Sequence, residues 1–197
     1  MKYERDRHQF PLLLNEWNLL GEGVEVGVCR GIHAEQILSL WPGTLHLVDP
    51  WAKVEGYEEE YDHAANLKET RERMAPYKGR YYLLRTSSVK AAGKFYDGAL
   101  DFVYLDANHT YEAVKADLEV WWPKVKPGGM LAGDDYGLVD EQWVDFGHGR
   151  TRFGVKRAVD EWAHKVRRNI SLDILADWKN RLPDGTEIQA RGWWTIK

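Results

Sequence analysis

A single cysteine, Cys29, stands among 197 residues. It excludes internal disulfides and any zinc cluster built on thiolates. Positive charge is also short. The formal net charge is -4, so there is no overall basic footprint and nucleic acid is a poor default partner. The N-terminal stretch MKYERDRHQFPLLLNEW has no continuous apolar run long enough for a signal or spanning helix. No membrane association is expected, and the cytoplasm is the expected compartment. Internal repeats, low-complexity tracts and linkers are absent, so residues 1–197 are expected to form one domain. What is abundant is tryptophan, with ten residues. Most are expected to serve packing, and a few to line a pocket. Composition leaves open whether copies assemble into a homo-oligomer.

The most informative stretch runs from Leu100 to Tyr136, LDFVYLDANHTYEAVKADLEVWWPKVKPGGMLAGDDY. LDFVYL is short, apolar and rich in aromatic and β-branched residues, which predicts a buried strand ending at Asp106. Thr110 can cap a following helix, with Glu112 in its first turn where the helix dipole favours an anion. Val114, Leu118 and Trp121 share one face of that helix, and Pro123 closes it. Lys-Pro-Gly-Gly makes a turn, and Met130-Leu131-Ala132 opens a second strand that stops at Asp134-Asp135. Such a crossover makes the two strands parallel. Ligands of open parallel sheets bind beyond the carboxyl ends of the strands. If the strands are neighbours their tips are about 5 Å apart, close enough for Asp106, Asp134 and Asp135 to share one cation. Adjacent residues of a continuing strand face opposite sides, so joint ligation requires the chain to turn at Asp134-Asp135. Capping a turn or helix would account for these aspartates equally.

Toward the N-terminus, Phe10, Leu13, Leu14, Trp17 and Leu20 recur at helical spacing. A helix from about Asp6 to Leu20 is expected over the sheet, with Pro11 in its first turns. Gly23 to Val28 reads as the first strand and His33 to Leu40 as a helix. The turn between them, Glu25-Val-Gly27-Val-Cys-Arg30-Gly31, lets a ligand approach the backbone near a helix N-terminus. The full dinucleotide spacing of three glycines is missing, and a ligand-free tight turn would also use these glycines. Thr44 to Asp49 is a second strand ending in an acid. Asp49 lies 22 residues after Gly27, near the offset at which an acid reaches ribose hydroxyls in nucleotide-binding units. Trp51 can pack beside a nucleotide-type ligand held there. Tyr57, Tyr61 and His63 are candidates for a substrate mouth, or for plain surface packing. A helix from about Asp62 to Met74 stops before Pro76, and Tyr81 to Leu84 forms a third strand leading to Ser87 and Ser88.

Beyond Tyr136 a glycine-containing loop carries Trp143, Phe146, His148 and Arg150 as candidates for substrate contact. Val155 to Val166 reads as an amphipathic helix. Ile170 to Leu175 and Glu187 to Ile196 read as two strands around Pro183-Asp-Gly185. The expected fold is therefore α/β: a doubly wound, Rossmann-like sheet, mostly parallel with an antiparallel C-terminal strand and helices on both faces.

The spelling Asp-Ala-Asn-His-Thr-Tyr-Glu, then Trp-Pro-Lys-Val-Lys-Pro-Gly-Gly, then Gly-Asp-Asp-Tyr resembles the small class I S-adenosylmethionine (SAM)-dependent methyltransferases. It is most similar to the branch that groups with macrocin-type, metal-dependent sugar and antibiotic O-methyltransferases. The resemblance runs from about Gly23 to Ala163 and is loose after Asp135. It implies Mg²⁺ or Mn²⁺ at Asp106, Asp134 and Asp135, with His109 as the base. For the cofactor it implies contacts from Glu25, Gly27, Arg30, Gly31, Asp49, Trp51, Ser87, Ser88 and Asp106. At the position of Ser87 many relatives carry an acid instead, which weakens that pairing with adenine.

SAM carries an activated methyl group, so the protein must mainly position a nucleophile in line with it. A hydroxyl is a poor nucleophile at neutral pH and needs a base, a Lewis acid, or both. Three carboxylates suit a hard divalent ion. A histidine at a helix start lies where the dipole favours the neutral ring. The expected activity is methyl transfer to a hydroxyl of a small-molecule acceptor, with a sugar or glycosylated metabolite favoured by the resemblance. Alternatives are a metal-independent N- or O-methyltransferase, an NAD-linked oxidoreductase using Asp49 on ribose, and a non-catalytic SAM- or nucleotide-binding domain.

Overall fold

The computed structural model describes residues 5–54, 61–137, 143–145, 150–181 and 187–197, with side chains described outside 138–151 and 176–189. In chain order the strands are β1 (Arg5–Asp6), β2 (Glu22–Val26), β3 (Thr44–Asp49), β4 (Tyr81–Arg85), β5 (Leu100–Leu105), β6 (Val125–Tyr136), β7 (Trp143–Asp145), β8 (Arg150–Arg152), β9 (Ser171–Arg181) and β10 (Glu187–Ile196). The α-helices are α1 (Phe10–Glu16), α2 (Ile32–Leu40), α3 (His63–Met74), α4 (Ser88–Ala92), α5 (Tyr111–Trp121) and α6 (Val155–Val166). Eight strands form one sheet in the order β1-β9-β10-β6-β5-β2-β3-β4, and β7 pairs with β8 apart from it. β5 is parallel to both β2 and β6, while β10 runs antiparallel to β6 and β9. This is the mostly parallel, Rossmann-like sheet with a reversed C-terminal strand that the sequence predicts. Among the described residues, no helix is long and apolar enough to cross a membrane.

All six residues of β5 are buried, as a strand covered on both faces requires. Its alternate residues feed two cores. Val103 and Leu105 pack with Val114, Leu118 and Trp121 of α5 and Val159 and Trp162 of α6. Phe102 and Tyr104 face the opposite way and pack with Phe10, Leu13, Ile37 and Leu67. α5 begins as the sequence demands, with the Thr110 hydroxyl accepting from the Ala113 N–H. α3 likewise starts after Asp62, whose carboxylate accepts from Ala65. Of the tryptophans, Trp41, Trp121 and Trp193 are fully buried packing residues, whereas Trp17 is exposed.

The N-terminal helix differs from expectation. Asp6 and Gln9 form a reciprocal capping box on a separate 3-10 turn, Arg7–Gln9. Pro11 has no N–H to continue that turn, so a new helix opens at Phe10. It ends at Glu16, and Asn18 adopts a positive φ of 53°. Leu20, assigned to the apolar stripe, is exposed. Pro183-Asp-Gly185, Tyr57, Phe146 and His148 lie outside the described residues, as do the side chains of Trp143 and Arg150.

Candidate active site

The carboxyl ends of β2, β3, β4 and β5 open onto a cavity of about 640 Å³. The β2–α2 turn forms one wall. Gly27 sits at φ 90°, and a Cβ there would come within 2.0 Å of the Asp106 carbonyl oxygen. Only glycine allows β2 and β5 to meet so closely at their tips. Gly31, at φ 76°, opens α2. Asp49 holds this turn from β3. One carboxylate oxygen accepts from the N–H groups of Val28 (3.1 Å) and Cys29 (2.9 Å), and the other from Trp51 (2.6 Å). Trp51 is buried and its indole N–H donates to the Cys29 carbonyl at 2.8 Å. Asp49 and Trp51 thus build the loop as well as line it. Arg30 also lines the cavity.

Beneath the turn lies a pair that sequence patterning did not reveal. His33 Nδ1 is 3.1 Å from Glu25 Oε1, and both side chains are buried. Burial pushes the Glu25 carboxyl well above its usual range and the His33 ring well below its own, so both tend to the neutral form. Glu25 Oε2 has no hydrogen-bond partner.

At the tips of β5 and β6 the acids divide into two groups. Leu105 pairs with Gly133 in the parallel register, which makes the tips neighbours as expected. The required turn is present, for Asp135 adopts φ 61°. It sends the two adjacent side chains apart. Asp134 Oδ2 is 2.6 Å from Arg7 Nη1, and Arg7 Nη2 lies 2.5 Å from Asp106 Oδ2. The guanidinium also lies over the Tyr104 ring, 5.5 Å from its centroid. Asp135 instead meets His109, with Oδ2 3.0 Å from Nδ1. The imidazole stacks on Phe153 at 5.0 Å between centroids and 8° between planes. Asp106, His109 and Asp135 each place a donor atom within 4.8 Å of the others. The cluster that assembles is therefore Asp106–His109–Asp135, with Asp134 turned to Arg7. Burial pushes the Asp135 carboxyl up to about 7, against the lowering pull of His109. Burial also raises Asp106, partly offset by Arg7.

The far end of the cavity lies at the tip of β4. Ser87 precedes α4 without making a side-chain cap. The Ser88 hydroxyl donates to Asp117 Oδ1 at 2.5 Å and accepts from the Trp121 indole N–H at 2.8 Å. Ser88 is thus already engaged, and the carboxylate presented at this end is that of Asp117.

A family model described as a methyltransferase domain matches residues 24–136, more than half of the chain. The chain belongs to this methyltransferase family. No curated protein matches the sequence. Among solved structures, an O-methyltransferase from Bacillus cereus in complex with SAH is 14% identical, with a TM-score of 0.61 over 97% of this chain and 80% of that one. A SAM-dependent methyltransferase from Aquifex aeolicus is 13% identical, with a TM-score of 0.53 over 97% and 93%. The 1,6-didemethyltoxoflavin-N1-methyltransferase of Burkholderia thailandensis is 11% identical, with a TM-score of 0.58 over 97% and 79%. These likenesses are of fold, that of the class I SAM-dependent methyltransferases.

In this methyltransferase the residues expected for the cofactor and for catalysis line one cavity: Glu25, Gly27, Arg30, Asp49, Trp51, Ser87, Ser88, Asp106 and His109. Gly31 stands at its edge as the residue before α2. Tyr61 and His63 also line it. Arg7 and Asp117 are additions. Arg7 carries no local signal, because its partners are about a hundred residues away or more. Asp117 did carry one, since it shares the helical face of Val114, Leu118 and Trp121.

Proposed function

We propose that this methyltransferase transfers the methyl group of SAM to a hydroxyl of a small molecule, with His109 as the base. The observation that carries the reading is that His109, which lines the cavity, is held from behind by Asp135. An amine nucleophile that is already neutral needs no such base, whereas a hydroxyl does. The Gly27–Gly31 turn and the unpartnered Glu25 Oε2 suit the methionine end of SAM. The ribose lies toward Asp49. Asp135 accepts from Nδ1–H of His109, which fixes the tautomer and leaves Nε2 to take the proton of the acceptor hydroxyl. The hydroxyl oxygen then attacks the methyl carbon in line, the carbon–sulfur bond breaks, and S-adenosylhomocysteine leaves. The net charge of -4 favours a small acceptor over nucleic acid, and the likeness to macrocin-type enzymes favours a sugar hydroxyl.

The acidic tips fit a divalent ion. Asp106 and Asp134 share the single guanidinium of Arg7, Asp135 stands beside them against His109, and the buried Asp135 Oδ1 has no hydrogen-bond partner. Asp106 and Asp135 would hold Mg²⁺ or Mn²⁺ through oxygen, with Asp134 kept by Arg7. A bound ion supplies Lewis acidity that lowers the pKa of a nearby hydroxyl. Methyl transfer to a sugar acceptor is therefore expected to fall at least about 10-fold in excess EDTA and to recover with Mg²⁺ or Mn²⁺. Undiminished turnover in EDTA would remove the metal from this reading and leave His109 and Asp135 to carry deprotonation alone.

A further inference from the structure

The cavity extends past the reacting cluster to an end that the acidic tips do not reach. The sheet order places β5, β2, β3 and β4 side by side, so the wall runs from Asp106 past Asp49 to Ser87 and Ser88. A cofactor that puts its methyl group near His109 and its ribose near Asp49 must put its base at the β4 end. There the walls suit a flat ring: Pro50, Val89, Ala113 and Ala116 line them. The two alanines stand on the α5 face beside Asp117.

Asp117 is the carboxylate at that end. It is 6% exposed and still borders the cavity. Among the described residues, the Ser88 hydroxyl is the one group that donates to it, through Oδ1. An ionised carboxylate has about four acceptor positions, and a buried one left with a single donor is poorly satisfied. Burial pushes its carboxyl up to about 6, so above neutrality it is an acceptor. Ser88 cannot serve the ligand instead, because its hydroxyl donates to Asp117 and accepts from Trp121. The unmet need at this end of the cavity is for a hydrogen-bond donor.

We infer that Asp117 selects adenine, its carboxylate accepting a hydrogen bond from the exocyclic amino group of the cofactor. This rests on the cavity being the SAM site. A base bearing a 6-oxo group presents an acceptor at the same place and meets the carboxylate lone pair to lone pair. Sites built to bond one polar group reject an analogue lacking it far more strongly than sites of shape alone.

The test is a calorimetric comparison of S-adenosylhomocysteine with S-inosylhomocysteine, in which the 6-amino group becomes oxo and the adjacent N1 gains a hydrogen. Wild type is expected to bind the adenosyl compound about 10–100-fold more tightly, the scale of one hydrogen bond to a charged group. Asp117→Asn, which can donate to the oxo group, is expected to shrink the preference to within about 3-fold. Ser88→Ala, which removes the neighbouring donor but keeps the carboxylate, is expected to retain it. If Asp117→Asn does not fold, Asp117→Ser carries the same comparison. Equal binding of both compounds by wild type, or an undiminished preference in the Asp117 variants, would overturn the assignment and leave Asp117 as a tie between α4 and α5. Failure of wild type to bind S-adenosylhomocysteine would overturn the cofactor reading itself, a separate result.

Discussion

His109→Ala lowers kcat by roughly 10²–10⁴-fold, the usual scale for a lost general base, while affinity for S-adenosylhomocysteine stays within about 2-fold. The two readouts separate because His109 touches the reacting end of the cavity. The turn that grips the cofactor is tied by Asp49 and Trp51 instead. The ring is held from two sides, by Asp135 at 3.0 Å and by stacking on Phe153, so its orientation is set before any acceptor arrives. Asp135 is part of the same unit. Burial pushes its carboxyl up to about 7, and only the ionised carboxylate accepts the Nδ1–H bond that orients the ring. The base is competent once Asp135 has lost its proton. Wild-type kcat should accordingly rise with pH through an ionisation near 7 and level off above it. The variant should lose both the rate and the inflection. A variant that kept wild-type kcat and the same profile would assign the proton transfer to another group.

Arg7→Ala destabilises the protein by about 3–5 kcal/mol, the cost of removing one partner from a buried ion pair. Arg7 bridges Asp106 and Asp134, and the Asp134 side chain is only 2% exposed. Without the guanidinium, two carboxylates remain close together with little access to water. Asp106, whose carboxyl burial already raises, loses the cation that offsets this and lies further above its unfolded value. Its charged form is therefore penalised in the folded state, and the deficit grows as pH rises from the unfolded value through the folded one. Chemical denaturation should show a gap between variant and wild type that is widest at neutral to alkaline pH and narrows on acidification. Adding Asp134→Asn removes one of the stranded charges and should recover part of the loss. A variant within about 1 kcal/mol of wild type at pH 8 would mean that Arg7 is a surface contact and the acids are neutralised in another way.

These two residues mark what could be read along the chain. The β5–α5–β6 unit was legible almost to the residue, because its apolar spacing, the Thr110 cap and the Pro123 stop all point to one local structure. The need for a turn at Asp134-Asp135 followed from strand alternation alone, and Asp135 supplies it with a left-handed backbone. The partition of the acids did not follow. Arg7 reaches Asp134 across more than a hundred residues, and nothing in the spacing near either residue encodes that pairing. The N-terminal helix was overextended for a different reason. Its apolar stripe is real, with Phe10, Leu13 and Leu14 buried, but the Asp6–Gln9 capping box uses up the first turn and Asn18 ends the helix early. Local hydrogen bonds prevailed over periodicity there. Asp117 is legible along the chain, since a lone acid on an otherwise apolar helix face signals either a buried partner or a ligand.

Base, metal and adenine contacts all require one cavity to receive SAM in one orientation. The direct measurement is calorimetric titration of the wild-type protein with S-adenosylhomocysteine, beside Asp49→Ala. The wild type is expected to bind one equivalent saturably. The variant, which strips an acceptor from the N–H groups of Val28, Cys29 and Trp51 and from the ribose, is expected to bind at least about 10–100-fold more weakly, since each lost bond to a charged acceptor is worth about 1.5–3 kcal/mol. No binding by the wild type, or equal binding by the variant, would contradict the account.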